Sequence, residues 1–157
     1  MNIDDMQRED IQVFHDVSQE YSAIFENLGT YLNVGQDKEL IRYIVKDGDP
    51  DKLADVEKMK KVTWGRVSKA SPIYEYDTDK KFIIEILTPV WDALTSTEKN
   101  ALAYALLSRI NVGMDKKGNI KFELYNQYFG EFAARAAFGK DCLPSPESIA
   151  RRLAGVD

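Results

Sequence analysis

An α+β fold, a small β-sheet with packed helices and an added N-terminal helical layer, is predicted by three features of the 157-residue chain. The hydrophobic period shortens from helical to alternating at Val62, where β-forming residues begin. A capping box, Thr95 with Glu98, opens a nearly all-apolar helix that needs cover on most of its sides. A turn over Asp115–Asn119 then folds two short β-rich arms together before a further helix starts near Asn126. The length fits one domain and buries a sizeable core without disulfide or metal staples.

In chain order, Asp4 to Leu32 carries Phe14, Val17, Tyr21, Ile24, Leu28 and Tyr31 at spacings of three and four, which predicts an amphipathic helix. Asp37 caps a second helix, Lys38 to about Lys46, with Leu40, Ile41, Ile44 and Val45 as its apolar positions. Asp49 ahead of Pro50 starts a third, running to about Lys60 with Leu53, Val56 and Met59. Strands are expected at Val62–Val67 and Lys81–Leu87, with a loop at Ser71–Asp79 between them and Ile120–Leu124 completing the sheet. Gly65 inside a strand marks a bulge or a close approach by another element. Phe82, Ile84 and Ile86 face one way and Ile83 and Leu87 the other, so this strand is an inner one. Thr95–Ile110 is the core helix, with Leu102 and Leu106 buried. Asn126–Phe138 turns Phe129, Phe132, Ala133, Ala136 and Ala137 inward, and Gly139 stops it. Ser145-Pro146 opens a short tail helix to Leu153. One domain results, with N-terminal helices over residues 1–60, a core over 62–139 and a tail over 140–157.

The apolar fraction of 44% and the charged fraction of 30% are those of an ordinary water-soluble protein. A lone cysteine, Cys142, suits a reducing compartment. No apolar run approaches the ~18 residues of a membrane span, and the acidic start lacks the basic-then-apolar order of a leader. A cytoplasmic protein is expected. The net charge of -5 is uneven: residues 1–30 hold seven acids against one base, and the remainder holds 20 bases and 19 acids. A near-neutral body argues against nucleic-acid binding, which wants a basic face.

Zinc hydrolysis needs two imidazoles a turn apart, a third ligand and a proton-moving carboxylate. The chain has one histidine, His15. Cys142 has no histidine near it in sequence, and neither a glycine-rich phosphate loop nor a GxSxG elbow is present. Asp77 and Asp79 read as turn formers, and Tyr125, Tyr128 and Phe129 as core packing. No cofactor or metal is expected.

The order of elements carries a resemblance. Phe82-Ile83-Ile84-Glu85-Ile86 is followed by Trp91-Asp92-Ala93-Leu94, by Thr95-x-x-Glu98-Lys99-x-Ala101-Leu102, by a short hairpin and by Glu131-Phe132. From about Val62 to Gly139 this resembles the phage metallopeptidase family, relatives of the SprT-like zincins. The resemblance implies a zincin-like core whose helix bears HExxH and whose next helix brings a third histidine. In that register the HExxH slots fall on Tyr104, Ala105 and Ser108 and the third-ligand slot near Gln127, so no catalytic and no metal residue carries over. The implied reading is a non-catalytic phage or prophage accessory protein that binds another protein, in particular a host bacterial factor that it inhibits or redirects, or a second copy of itself. The candidate docking face is the acidic N-terminal segment, with Asp10, Phe14, Asp16, Glu20 and Tyr21. Two alternatives stand beside it: an enzyme with a metal-independent site around Tyr104, Ser108, Tyr125 and Gln127, and a nucleic-acid accessory factor.

Overall fold

The computed structural model of the protein describes residues 14–16 and 40–155. Its elements run β1 (Phe14–Asp16), β2 (Ile41–Lys46), α1 (Pro50–Leu53), α2 (Val56–Met59), β3 (Gly65–Lys69), α3 (Pro72–Thr78), β4 (Phe82–Leu87), α4 (Thr88–Ala93), α5 (Ser96–Leu107), β5 (Ile110–Met114), β6 (Ile120–Leu124), α6 (Gln127–Phe138) and α7 (Pro146–Leu153). The class is the α+β one expected. The four-stranded sheet has the order β1-β2-β4-β3, and β5 and β6 form a separate hairpin.

Two predicted helices are corrected. Phe14–Asp16 is a strand, antiparallel to β2, where Asp4–Leu32 was expected to be helical throughout; the rest of that segment, and the cap at Asp37, lie outside the described residues. Lys38–Lys46 is not helical in its described part. Ile41, Tyr43 and Val45 are buried, and the residues between them are half-buried. Three β-branched residues and a tyrosine in six positions favour the pleated surface, and the period of two outweighs the helical spacing of Leu40, Ile41, Ile44 and Val45. The sheet therefore draws two strands, β1 and β2, from the region expected to be a purely helical layer. β2 runs parallel to β4, pairing Ile41 with Phe82 through Lys46 with Leu87. A parallel pair needs a long crossover, which residues 47–81 supply.

That crossover also departs from expectation in detail. The third helix is two short ones, each capped by an aspartate: Asp49 accepts from Asp51 N, and Asp55 from Glu57 N and Lys58 N. The predicted loop Ser71–Asp79 contains α3. Ser71 Oγ accepts from Tyr74 N at 3.2 Å and Pro72 opens the first turn, the same cap-then-proline start as at Asp49-Pro50. Asp79, with φ 58°, ends it. β3 begins at Gly65, three residues later than predicted. A methyl group at Gly65 would lie 2.8 Å from Leu106 Cδ1, so the glycine marks a close approach by α5.

β4 is an inner strand, as expected, with Phe82, Ile84 and Ile86 fully buried. Below it α5 presents Leu102, Ala103, Leu106 and Leu107 to the sheet, and α4 adds Val90 and Trp91. The capping box forms as predicted: Glu98 N donates to Thr95 Oγ1 at 3.2 Å, and Thr95 N donates to Glu98 Oε1 at 2.8 Å. α7 packs on α2 and α4, burying Ile149 and Ala150. Its Arg152 reaches Glu98 with both terminal nitrogens, at 2.6 and 3.2 Å, and so ties the tail to the start of α5.

The hairpin forms around Asp115, whose carboxylate accepts from Lys117 N and Asn119 N, with Gly118 at φ 83°. Among the described residues Ile120–Leu124 pairs only with β5 and is not a strand of the four-stranded sheet. The inward face of α6 is also corrected. Gly130 and Ala134 are the buried positions, whereas Phe129 is 46% and Phe132 73% exposed. The facing surface of α5 is Ala101 and Ala105, so the helices close through their smallest residues and the aromatic side chains turn outward. For the same reason Tyr125 and Tyr128 are exposed, contrary to their reading as core.

Candidate functional site

Antiparallel pairing fixes which way the backbone of β3 points. Trp64 O accepts from Leu87 N at 3.0 Å, and Ala70 N donates to Lys81 O at 2.8 Å. The even-numbered residues between them therefore bond to β4, and Gly65, Val67 and Lys69 turn their N–H and C=O to the outer edge. Among the described residues no strand pairs with that edge. Beside it runs a groove of about 1250 Å³, walled by residues 60–67 on one side and by α5, α6 and the segment entering α7 on the other.

The stripe of α5 that faces this groove is Leu102, Ala105 and Leu106, continued just past its end by Arg109, and that of α6 is Gln127, Glu131 and Arg135. Both stripes follow the spacing of three and four that puts residues on one helical face. The two helices are locked at close range. A methyl group at Gly130 would sit 2.2 Å from Ala105 O, and Arg109 holds the entry to α6 by donating from Nε to Tyr125 O at 2.8 Å. Tyr125 N donates back to Arg109 O at 2.7 Å. Burial pulls the Arg109 guanidinium below its ordinary value, yet arginine remains a cation at physiological pH.

The residues assigned from the family register separate. Tyr104 packs edge-on against Phe138, with ring centroids 5.3 Å apart, on the side of α5 away from the groove. Ser108 Oγ donates to Tyr104 O at 2.6 Å. Ala105 and Gln127 do line the groove, and Gln127 Nε2 donates to Glu131 Oε1 at 3.1 Å. The Tyr125 and Phe129 rings meet at a tilt of 43°, with centroids 4.6 Å apart. Of the metal-independent set, only Gln127 faces the groove. Of the N-terminal candidates, Asp10, Glu20 and Tyr21 lie outside the described residues. Phe14 and Asp16 belong to β1, opposite Lys46 and Ile44.

A zinc ion of the kind the family name implies does not fit these residues. Ala105 offers no donor atom, Ser108 is engaged with a backbone carbonyl, and Arg109 places a positive charge on the face where a cation would have to sit. Among the described residues no three histidine, cysteine or acidic side chains come together to hold a metal. Cys142 is buried beside Ala101, Ala105 and Ala134, and burial pushes its thiol up, away from the thiolate form that nucleophiles and ligands need.

The sequence reading missed the charge of the groove. Lys60, Lys61, Arg66, Arg109, Arg135 and Lys140 line it against Glu131 and Asp141. One fragment of that pattern stands in the sequence as the basic run Lys58, Lys60 and Lys61, which reads as a solvated helix end, and Lys60 and Lys61 of that run line the groove.

Among the described residues no helix is long and apolar enough to cross a membrane. No curated protein and no solved structure matches the chain. The family described as Putative phage metallopeptidase matches residues 16–136, well over half of the chain. The match begins far upstream of Val62 and takes in β2, the strand wall of the groove and the α5 and α6 residues that face it, but not the segment entering α7, so the N-terminal segment from Asp16 onward is part of the shared framework and not an addition to it. The chain belongs to the Putative phage metallopeptidase family.

Proposed function

We propose that the protein is a catalytically silent, zincin-like member of its family, acting in the bacterial cytoplasm by holding a polypeptide of the host in the groove beside β3. The observation that carries this reading is the make-up of the groove. Its helix wall bears Ala105, Arg109, Gln127 and Glu131, which supply no imidazole pair to hold a metal, and the Glu131 carboxylate accepts from Gln127. Its strand wall keeps what peptide capture needs, a strand edge with outward backbone donors and acceptors at Gly65 and Val67. An extended segment gains affinity there by adding to the sheet, with its side chains read by the opposite wall. Holding a host segment in this way inhibits or redirects the protein it belongs to. A fold of this kind keeps a shaped surface when its reactive groups are replaced.

The test joins three measurements on the purified chain. Elemental analysis is expected to find zinc far below one ion per chain, and incubation with unfolded casein is expected to give no chelator-sensitive cleavage. Hydrogen exchange with a panel of extended peptides is expected to protect the amides of Gly65 and Val67. Stoichiometric zinc with chelator-sensitive hydrolysis would overturn the silent assignment, and unprotected amides with every peptide would overturn the groove as the binding site.

A further inference from the structure

We infer that the segment held in the groove is acidic, an extended polypeptide with carboxylates at alternating positions. The inference rests on the reading above, that the groove binds a polypeptide without cutting it. Its warrant is the local charge. The groove gathers six cations and two carboxylates in a protein whose net charge is -5, so the positive character belongs to this face and not to the molecule. Most of these cations are not neutralised from within. Lys60 is shared with Glu57 and Glu147 at 3.6 and 4.0 Å, but Arg66, Arg135 and Lys140 form no ion pair with another described residue.

Arg109 strengthens the case. It is half-buried on the floor of the groove, its Nε is committed to Tyr125 O, and its terminal nitrogens remain as donors that no described carboxylate takes up. A partly desolvated guanidinium with unused donors is matched by a carboxylate, which accepts from two of them in parallel. The groove runs along β3, and alternate side chains of an added strand point the same way. Acids at every second position therefore meet Arg109, Arg135 and Lys140 on the facing wall together, while the backbone pairs with Gly65 and Val67.

A polyanionic nucleic acid meets the same cations but fits less well. Glu131 and Asp141 interrupt the basic lining where a continuous phosphate backbone would pass, and the outward amides of a strand edge pair with a polypeptide backbone rather than with bases.

Fluorescence anisotropy decides between them at low and moderate salt. The probes are a labelled peptide alternating glutamate with valine, its glutamine counterpart, and a single-stranded oligothymidylate. The glutamate peptide is expected to bind about tenfold or more tighter than the glutamine one, with the difference shrinking as salt rises. Arg135→Glu with Lys140→Glu is expected to abolish that preference and leave the glutamine peptide unchanged. These side chains are exposed, and a thermal melt checks that the fold survives; Arg66→Glu on the opposite wall repeats the test independently. Equal affinity for the two peptides overturns the acidic inference and leaves the polypeptide groove standing. Failure of both peptides to bind overturns both. Tighter binding of the oligothymidylate, or a glutamate preference that persists in the charge-reversed variants, overturns the inference as well.

Discussion

Gly130→Ala isolates the contact that locks α6 to α5 in the helix wall of the groove. Helix propensity alone predicts that the change stabilises α6, by about 1 kcal/mol, because alanine is the better helix former. The packing predicts the opposite. The added methyl carbon would lie 2.2 Å from Ala105 O and 3.0 Å from Arg109 Cγ. A carbon–oxygen contact relaxes only beyond roughly 3.2 Å, so α5 and α6 must part by about 1 Å, which weakens dispersion across Ala101, Ala105 and Ala134. The obstructing atom belongs to the backbone of a buried helix and cannot rotate away. Overpacking of this kind costs roughly 1–3 kcal/mol. Its upper part applies here, and subtracting the propensity gain leaves a net loss of about 1–2 kcal/mol. For a chain of this size that is a fall in Tm of roughly 2–8 °C. Urea denaturation followed by circular dichroism measures it. Gly113→Ala serves as the control, since a methyl group there meets nothing within 4 Å. A Gly130→Ala protein as stable as the wild type, or more so, would refute the close packing of α5 on α6 and the groove geometry built on it.

Leu106→Ala is expected to cost about 2–5 kcal/mol as a buried leucine deletion. It should also make Gly65→Ala far better tolerated than in the wild type, since Leu106 Cδ1 is what crowds that position; a double-mutant cycle by chemical denaturation reads the coupling. Thr95→Ala removes the capping box and should cost about 1 kcal/mol, measured the same way. Glu98 gives a pH dependence. Hydrogen bonds from Arg152, with those of the Thr95 cap, hold its carboxyl below the usual range despite some burial. The unfolded chain then takes up the proton first, so this contribution is complete above the ordinary glutamate value and is lost as pH falls through the lower folded one. Arg152→Gln should flatten that part of the stability profile between pH 6 and pH 2 and lower stability near neutrality by about 1 kcal/mol, a value reduced for partial solvent exposure.

How much of this was legible in the sequence follows from how local each signal is. The capping box, the α5 helix, the hairpin turn and the inner strand β4 rest on contacts within a few residues or on one clear period, and all were readable. Gly65 announced a close approach by a neighbour, though not by which one. β2 was misread because six residues with apolar positions at 41, 44 and 45 satisfy a helical spacing as well as a strand's. Only pairing with β4 along its whole length resolves the choice. The inward face of α6 was misread because hydrophobicity selects the aromatic residues, whereas the alanine surface of α5 admits only Gly130 and Ala134.

The sequence by itself determined the α+β class, the family framework, and that a single histidine, His15, is present, because residue identity and short-range order suffice for these. Tertiary structure alone decided that Tyr104 and Ser108 turn from the groove while Ala105 and Arg109 face it, a matter of 100° per residue around a helix. It also decided the charge of the site. Lys61, Arg66, Arg109 and Arg135 are scattered through a body whose total is near neutral, and only the crossing of β3 over α5 and α6 brings them to one groove. A sum of charges along a chain carries no information about where in space those charges meet.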